Sequence, residues 1–255
     1  MQEKFITLLN DFKNSGIQEA VNFELMNEIL ISYHSTAIEG SSLTLEEALL
    51  LVTENITAKG KPLQDHDMVR DHQQALVETV RLARQKTEIN SELIQKISAL
   101  VMRTTGGPIS AAAGNYDSSK GDFRKSMVHV GARYFSNYEK VPQEVEKLCT
   151  QINENLKNVH SPEDIYDLAF DAHFYLVTIH PFADGNGRVA RLLMNYILAY
   201  HGQPLAVLFT EDKLEYYQAL EATRQSEPPV IKIFRDFMYQ QQAKYLTQEM
   251  AKAKI

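Results

Sequence analysis

The chain alternates apolar and polar residues with helical spacing over most of its length. Residues 22–38, NFELMNEILISYHSTAI, put Phe23, Met26, Leu30, Tyr33 and Ala37 on one stripe of a helix. The first sixteen residues form another short amphipathic pattern. Thr44, followed three residues later by Glu47, has the form of a capping box and starts the next helix. A long helix with charged and apolar faces fits 64–85, after Pro62. Asn90-Ser91 caps a helix that the pattern carries as far as Gly106-Gly107-Pro108, which no helix crosses. Further helices fit 142–157, a run from Ser161-Pro162 to His180, 186–201 closed by Gly202, about 213–225, and 230–252 after Pro228-Pro229. The exception is 110–136, rich in Gly and Ser and then β-like at FRKSMVHV, where Val128 and Val130 alternate with polar residues. It reads as a small hairpin set against helices. The expectation is one mainly α domain over 1–255, without repeats or a dividing linker.

Composition narrows the function classes. The chain has 255 residues, enough for an ample core, and a net charge of −7 that gives no electrostatic case for nucleic-acid binding. A single cysteine, Cys149, excludes an internal disulfide and fits a reducing compartment. No run approaches the roughly 18 apolar residues of a membrane span, so a cytoplasmic location is the default expectation.

Chemistry concentrates at HPFADGNGRVAR, residues 180–191. An apolar helix stops at His180, the chain spells Asp184-Gly185-Asn186-Gly187, and a helix restarts carrying Arg188 and Arg191. Glycines leading into a helix let successive backbone N–H groups and the positive end of the helix dipole converge on one anion. Arg188 and Arg191, at i and i+3, share a face, and their forked donors suit phosphate oxygens. Asp184 is a hard anionic ligand for Mg²⁺ bridging phosphates, and His180 is a base that titrates near neutrality. Each part alone has a plain reading: a structural histidine, a polar turn, a solvated pair of arginines. Their conjunction within twelve residues describes a site that holds a phosphate chain beside a proton acceptor.

This stretch closely resembles the signature of Fic-domain proteins, His-x-Phe-x-(Asp/Glu)-Gly-Asn-Gly-Arg-x-x-Arg, with every specified position filled. The resemblance implies a Fic-type helical bundle with a β-hairpin flap, and transfer of AMP from ATP to a hydroxyl of a protein, with pyrophosphate leaving. By the resemblance His180 deprotonates the attacking Ser, Thr or Tyr. Asp184 binds Mg²⁺. Gly185, Asn186 and Gly187 form the anion hole, Arg188 contacts the phosphates, and Arg191 holds the γ-phosphate. Relatives that transfer phosphate carry a lysine where this chain has Gly187, so the glycine favours AMP transfer.

A second stretch, STAIEG at 35–40, reads plainly as a helix end with a surface glutamate. It also matches the inhibitory motif of autoinhibited Fic proteins, (Ser/Thr)-x-x-x-Glu-(Gly/Asn), in the class with an N-terminal inhibitory helix, here 22–40. The resemblance implies that Glu39 pairs with Arg191 in the γ-phosphate's place and that Ser35 helps seat the helix. In some relatives this glutamate supports removal of AMP instead, so a de-adenylylating or bifunctional enzyme stays open, as does an idle nucleotide-binding module.

Residues 121–133 resemble the family's flap, with Gly121-x-Phe123-Arg124 as landmark. The resemblance implies that the flap clamps a target segment and that Val130, Gly131, Ala132 and Arg133 lie along the nucleotide, beside the plain reading of a structural hairpin. Tyr216 and Tyr217 resemble paired aromatics near the adenosine, although such pairs are commonly core. Related sequences often carry an asparagine soon afterwards for the adenine, where this chain has Arg224. The implied partners are ATP and a protein hydroxyl, including the chain's own. Self-association as a homodimer or larger oligomer could govern release of Glu39, and no stretch of the sequence marks an interface for it.

Overall fold

The computed structural model describes residues 2–130, 133–225 and 227–252. Within them lie ten α-helices: α1 (Gln2–Asn14), α2 (Phe23–Ile38), α3 (Leu45–Glu54), α4 (Leu63–Arg84), α5 (Ser91–Val101), α6 (Val141–Leu156), α7 (Pro162–Ile179), α8 (Asn186–Tyr200), α9 (Lys213–Arg224) and α10 (Ile231–Lys252). Two antiparallel pairs of two-residue strands, β1 (Pro108–Ile109) with β2 (Tyr116–Asp117) and β3 (His129–Val130) with β4 (Arg133–Tyr134), and four single-turn 3-10 helices complete the described elements. The fold is mainly α with a small hairpin, as the sequence pattern predicts.

Helix α8 is the axis of the bundle. Leu192, Leu193, Met194, Tyr196 and Ile197 are fully buried, and the helix is apolar nearly all round because α2, α4, α5 and α7 enclose it. Beyond its first two turns a polar residue, Asn195, is tolerated because both ends of its amide are used. Asn195 Nδ2 donates to the Ala206 carbonyl (3.1 Å), and Asn195 Oδ1 accepts from the Ala206 N–H (2.7 Å). Helix α1 closes the bundle against α7 and α10, where Phe5 meets Tyr166 and Tyr239 edge-on at 5.0 and 4.9 Å. A second cluster, Ile29, Leu43, Ala48, Leu51 and Val69, fastens α2, α3 and α4.

The expected caps form. Thr44 and Glu47 make a reciprocal box at the start of α3, and Ser161 and Asp164 do so at α7. Asn90 Oδ1 accepts from the Leu93 N–H (2.8 Å) to start α5.

Three expectations are corrected. The stripe assigned to residues 22–38 is not the buried face of α2. Met26 is exposed, and the buried residues are Ile29, Ile31, Ser32, His34, Ser35, Thr36 and Ile38. Part of that face is polar because it meets polar groups on α4 and α8. Helix α5 ends at Val101, short of Gly106. Buried Asp71 draws the chain off the helix axis, accepting from the Thr104 N–H (2.7 Å), the Thr104 hydroxyl (2.6 Å) and Arg103 Nη2 (3.0 Å). The β-like stretch 123–130 pairs only at its end. Before His129, the Val128 carbonyl accepts from the Phe135 N–H (3.2 Å) and the Ser126 carbonyl from the side chain of Arg124, and the β1–β2 hairpin was not expected.

Candidate active site

The site forms where α7 ends and α8 begins. His180 caps α7 in the left-handed conformation (φ 55°, ψ 60°), its N–H still donating to Leu176 (3.0 Å). That turn swings the chain into a loop closed by Asn186, whose Oδ1 accepts from the Phe182 N–H and whose Nδ2 donates to the Phe182 carbonyl, both at 2.9 Å. The amide of Asn186 is thus spent on shaping the loop. Its backbone, with that of Gly187 and Arg188, supplies the first-turn N–H groups of α8. Gly185 adopts φ +78°, the left-handed region, and a Cβ there would also press on Met102 Sδ at 3.0 Å.

Arg188 and Arg191 are both buried, 1 and 2% exposed. Arg188 Nη2 donates to Met102 Sδ (3.2 Å) and lies 3.5 Å from Asp184 Oδ2, while its Nε and Nη1 have no partner. Buried donors without acceptors are costly, and here they line a helix N-terminus. Burial pushes the Arg188 pKa down, with Asp184 and Glu39 opposing only in part. Arg191 is compensated differently. Burial is the largest single influence and disfavours its charge, but the Glu39 carboxylate, with Tyr216 and Tyr217 adding, carries the net shift upward. Its Nη2 donates to Glu39 Oε1 (2.6 Å) and to the Ser35 carbonyl (2.9 Å), its Nε to Ser35 Oγ (2.8 Å), and Nη1 is unpartnered. A Cβ on Gly187 would collide with the Glu39 carboxylate, which therefore lies directly over the loop. Helix α2, expected to bring Ser35 and Glu39 to Arg191, does so.

Asp184 keeps one carboxylate oxygen on its own loop, accepting from the Gly185 N–H (2.6 Å), and its side chain is 70% exposed. The described residues hold no group of three or more metal-ligating side chains. A single open carboxylate beside unpartnered guanidinium donors suits an ion that takes its remaining ligands from phosphates and water, which is how Mg²⁺ binds nucleotides.

His180 stacks on Phe135 (ring centroids 4.0 Å, 21° between planes), and no group meets its Nδ1 in hydrogen-bonding geometry. Burial pushes its pKa down to about 4; the Val177 backbone opposes, and Arg124 and Arg224 reinforce the fall. The imidazole is therefore neutral at pH 7, with a lone pair free to accept a proton.

Arg124, the last residue of the flap landmark, does more than mark the flap. Buried completely, it donates to three carbonyls: His180 (Nε, 2.8 Å), Ser126 (Nη1, 2.9 Å) and Ser136 (Nη2, 2.7 Å); its own N–H donates to Pro181 (3.0 Å). One side chain thus ties both arms of the hairpin to the histidine. The landmark Gly121-x-Phe123-Arg124 singled this arginine out, but nothing in the sequence pointed to the three carbonyls it joins. Phe135 and Met102 carried no signal.

The remaining residues separate. Gly131 and Ala132 fall outside the described residues, as does the side chain of Val130. Arg133 donates through Nη1 to Glu221 (3.2 Å) and sits over Phe135 (5.3 Å). Tyr216 and Tyr217 touch, but Tyr216 is buried with its hydroxyl 3.2 Å from His173 Nε2, whereas Tyr217 is 44% exposed, so only Tyr217 offers a ring to solvent. Arg224 donates through Nε to Thr178 Oγ1 (3.2 Å), and burial, with Arg133 adding, lowers its pKa to about 10.

A neutral, half-buried base near a glycine-opened helix terminus with unpartnered guanidinium donors is an arrangement suited to a polyanion and a proton-donating acceptor. Residues 85–198 match the Fic/DOC family. The chain is 33% identical to protein adenylyltransferase Fic of Nematostella vectensis over 198 residues, 74% of this chain and 41% of that protein. It is 30% identical to protein adenylyltransferase fic-1 of Caenorhabditis elegans over 193 residues, 75% of this chain and 35% of that one. It therefore spans less than half the length of these relatives. A Fic domain containing signaling protein from Bacteroides thetaiotaomicron superposes with a TM-score of 0.80 at 22% identity, covering 98% of this chain and 97% of the other, a likeness of fold. The fold is that of Fic-domain proteins, and residues 85–198 are the part of the chain that matches the family.

Proposed function

We propose that the chain transfers AMP from ATP to a Ser, Thr or Tyr hydroxyl of a protein, itself included, and that Glu39 holds this activity in check. The relatives named protein adenylyltransferase support the reaction class. The observation that carries the reading is the set of buried, unpartnered donors, Arg188 Nε and Nη1 and Arg191 Nη1, around a helix terminus over which Glu39 lies.

In this reading the phosphate chain replaces the Glu39 carboxylate. Arg191 takes the γ-phosphate, Arg188 and the backbone N–H groups of Asn186 and Gly187 take the others, joined by that of Gly185 when it leaves Asp184, and His180 faces the acceptor hydroxyl. The hydroxyl oxygen bonds to the α-phosphorus, its proton passes to the His180 imidazole, and the bond to the β-phosphate oxygen breaks, releasing pyrophosphate. Mg²⁺, held by Asp184, would supply positive charge to the phosphates and leaving group. Nucleotidyl transfer asks chiefly for positioning and charge stabilisation, which this loop is built to give. With Glu39 on Arg191, the terminal phosphate has no seat and the α-phosphate is misaligned for in-line attack.

We also read the unit as one Fic domain over 1–255, acting in the cytoplasm, with self-association as one means of releasing Glu39. Among the described residues no helix is long and apolar enough to cross a membrane. The position of Glu39 beside the loop equally suits a second reading, in which it orients water for removal of AMP from a modified protein.

The test is label transfer with ATP labelled on the α- or γ-phosphate, comparing the native chain, Glu39→Gly, and Glu39→Gly with His180→Ala. The proposal expects α-label on protein only after Glu39→Gly, abolished by the histidine change. Label from the γ-phosphate would mean phosphotransfer. Tight ATP binding without transfer to any of a panel of proteins would leave a binding module. Release of AMP from pre-modified protein by the native chain alone would favour the second reading.

A further inference from the structure

Arg188 raises a question that the 180–191 stretch does not answer by itself. Its guanidinium is sealed from solvent, yet two of its three nitrogens have no partner. A planar ion held only by its own stem would rotate, and its donors would not stay aimed at a phosphate.

The third nitrogen is held from another element. Nη2 donates to the sulfur of Met102, 3.2 Å away and 86 residues earlier in the chain. Met102 caps α5, is itself 3% exposed, and donates its N–H to the Ser98 carbonyl (2.9 Å). The same sulfur supports the loop, since a Cβ on Gly185 would meet Sδ at 3.0 Å and Cγ at 3.3 Å. The Thr105 hydroxyl also lies 4.0 Å from the sulfur. Asp184, the other neighbour of Nη2, is 3.5 Å away and mostly solvent-exposed, a looser tether.

The choice of sulfur has a chemical consequence. A thioether is a weak, neutral acceptor. A carboxylate in its place would orient the guanidinium but cancel the charge that a phosphate needs. An alkyl side chain would fill the space without orienting anything.

We propose that Met102 is a positioning residue of the anion cradle, its sulfur fixing Arg188 Nη2 so that Nε and Nη1 face the phosphate chain with their charge undiminished. This rests on reading the loop as a polyphosphate site. It sets Met102 apart from a core filler, because a filler's contribution depends on volume alone.

Two substitutions separate the roles in the full chain carrying Glu39→Gly. Met102→Leu conserves volume and removes the acceptor. Met102→Gln restores a neutral acceptor at similar length. Binding of tripolyphosphate and of Mg²⁺–ATP is measured by calorimetry, with kcat and KM for ATP alongside. Met102→Leu should weaken tripolyphosphate binding and raise KM by about five-fold, the scale of one neutral hydrogen bond, with kcat little changed. Met102→Gln should recover affinity to within about two-fold of Met102, on that same scale. Equal binding by Met102→Leu and Met102, or equal impairment of the leucine and glutamine variants, would overturn the inference. If the protein with Met102 intact binds no tripolyphosphate, the cradle reading falls and takes the inference with it. Binding that is unaffected by leucine sinks the inference alone.

Discussion

Arg191 Nη2 donates to Glu39 Oε1 at 2.6 Å, joining α8 to the residue that caps α2, 152 positions earlier. The arginine is buried and the glutamate side chain 27% exposed, so the pair is asymmetric: one partner cannot leave, and the other can. Removing the glutamate should act on stability and on binding in opposite directions.

Glu39→Gly leaves a buried guanidinium with Ser35 as its remaining acceptor. The expected cost is about 2 kcal/mol, less than for a fully buried pair, or a melting point lower by about 5 °C. Mg²⁺–ATP should bind at least about ten-fold more tightly and restore the lost stability, because a ligand that binds only the folded state stabilises it. Thermal melting with and without nucleotide checks both. A variant that melts lower without binding better would separate the ion pair from the anion site.

Acid should destabilise the fold before its carboxylates titrate. His34 and His180 are pushed down to about 4 by burial, and His72 and His173 lie well below the ordinary value for the same reason. These groups stay neutral in the folded chain while the unfolded chain protonates them below about pH 6.5. Their contribution is therefore complete above that pH and is lost as pH falls from 6.5 towards 4. Asp167 and Asp171, raised by burial, act in the opposite sense nearer the carboxylate range. Urea midpoints should be level between pH 7 and 8 and fall between 6.5 and 5. His34→Gln, which keeps an acceptor for the Thr210 N–H, should flatten that slope by up to about 1.4 kcal/mol per pH unit.

Arg124→Lys tests the tie between hairpin and histidine. Lysine keeps the charge but cannot serve three carbonyls in one plane. Two stranded carbonyls should cost about 2–3 kcal/mol, and transfer should slow by more than ATP binding weakens, because His180 and Phe135 lose their common anchor. Parallel measurement of ATP affinity and turnover in the Glu39→Gly background decides it. Equal losses in both would point to general loosening.

Asp184→Ala should leave the melting point within about 1 °C, as expected for an exposed side chain with only local bonds. It should raise the Mg²⁺ concentration needed for half-maximal transfer by at least about ten-fold if the carboxylate is the metal's protein ligand. A Mg²⁺ titration of the Glu39→Gly protein with and without this change reads it directly. An unchanged requirement would place the ion on phosphates alone.

Much of this was legible along the chain because the determinants are local. Thr44 with Glu47 and Ser161 with Asp164 set helix starts within four residues, and the loop between His180 and Arg191 builds its anion-facing turn from neighbours. The misread features depend on partners far away. Helix α5 stops early because Asp71, more than thirty positions upstream, captures Thr104. The buried positions of α2 depart from its apolar stripe because Ser32 meets His72 and Ser35 meets Arg191.

By itself, the sequence determined the helical class, most helix boundaries, and the residues that could bind an anion beside a base. Those follow from periodicity, capping and the chemistry of twelve consecutive positions. Only the tertiary structure decided which charges are sealed from water, that Glu39 lies over the loop, and that Arg124 and Met102 hold the working groups in place. Burial and orientation are properties of surfaces that meet, and in this chain the surfaces that meet at the site come from α2, α5, α8 and the hairpin, elements that no local pattern joins.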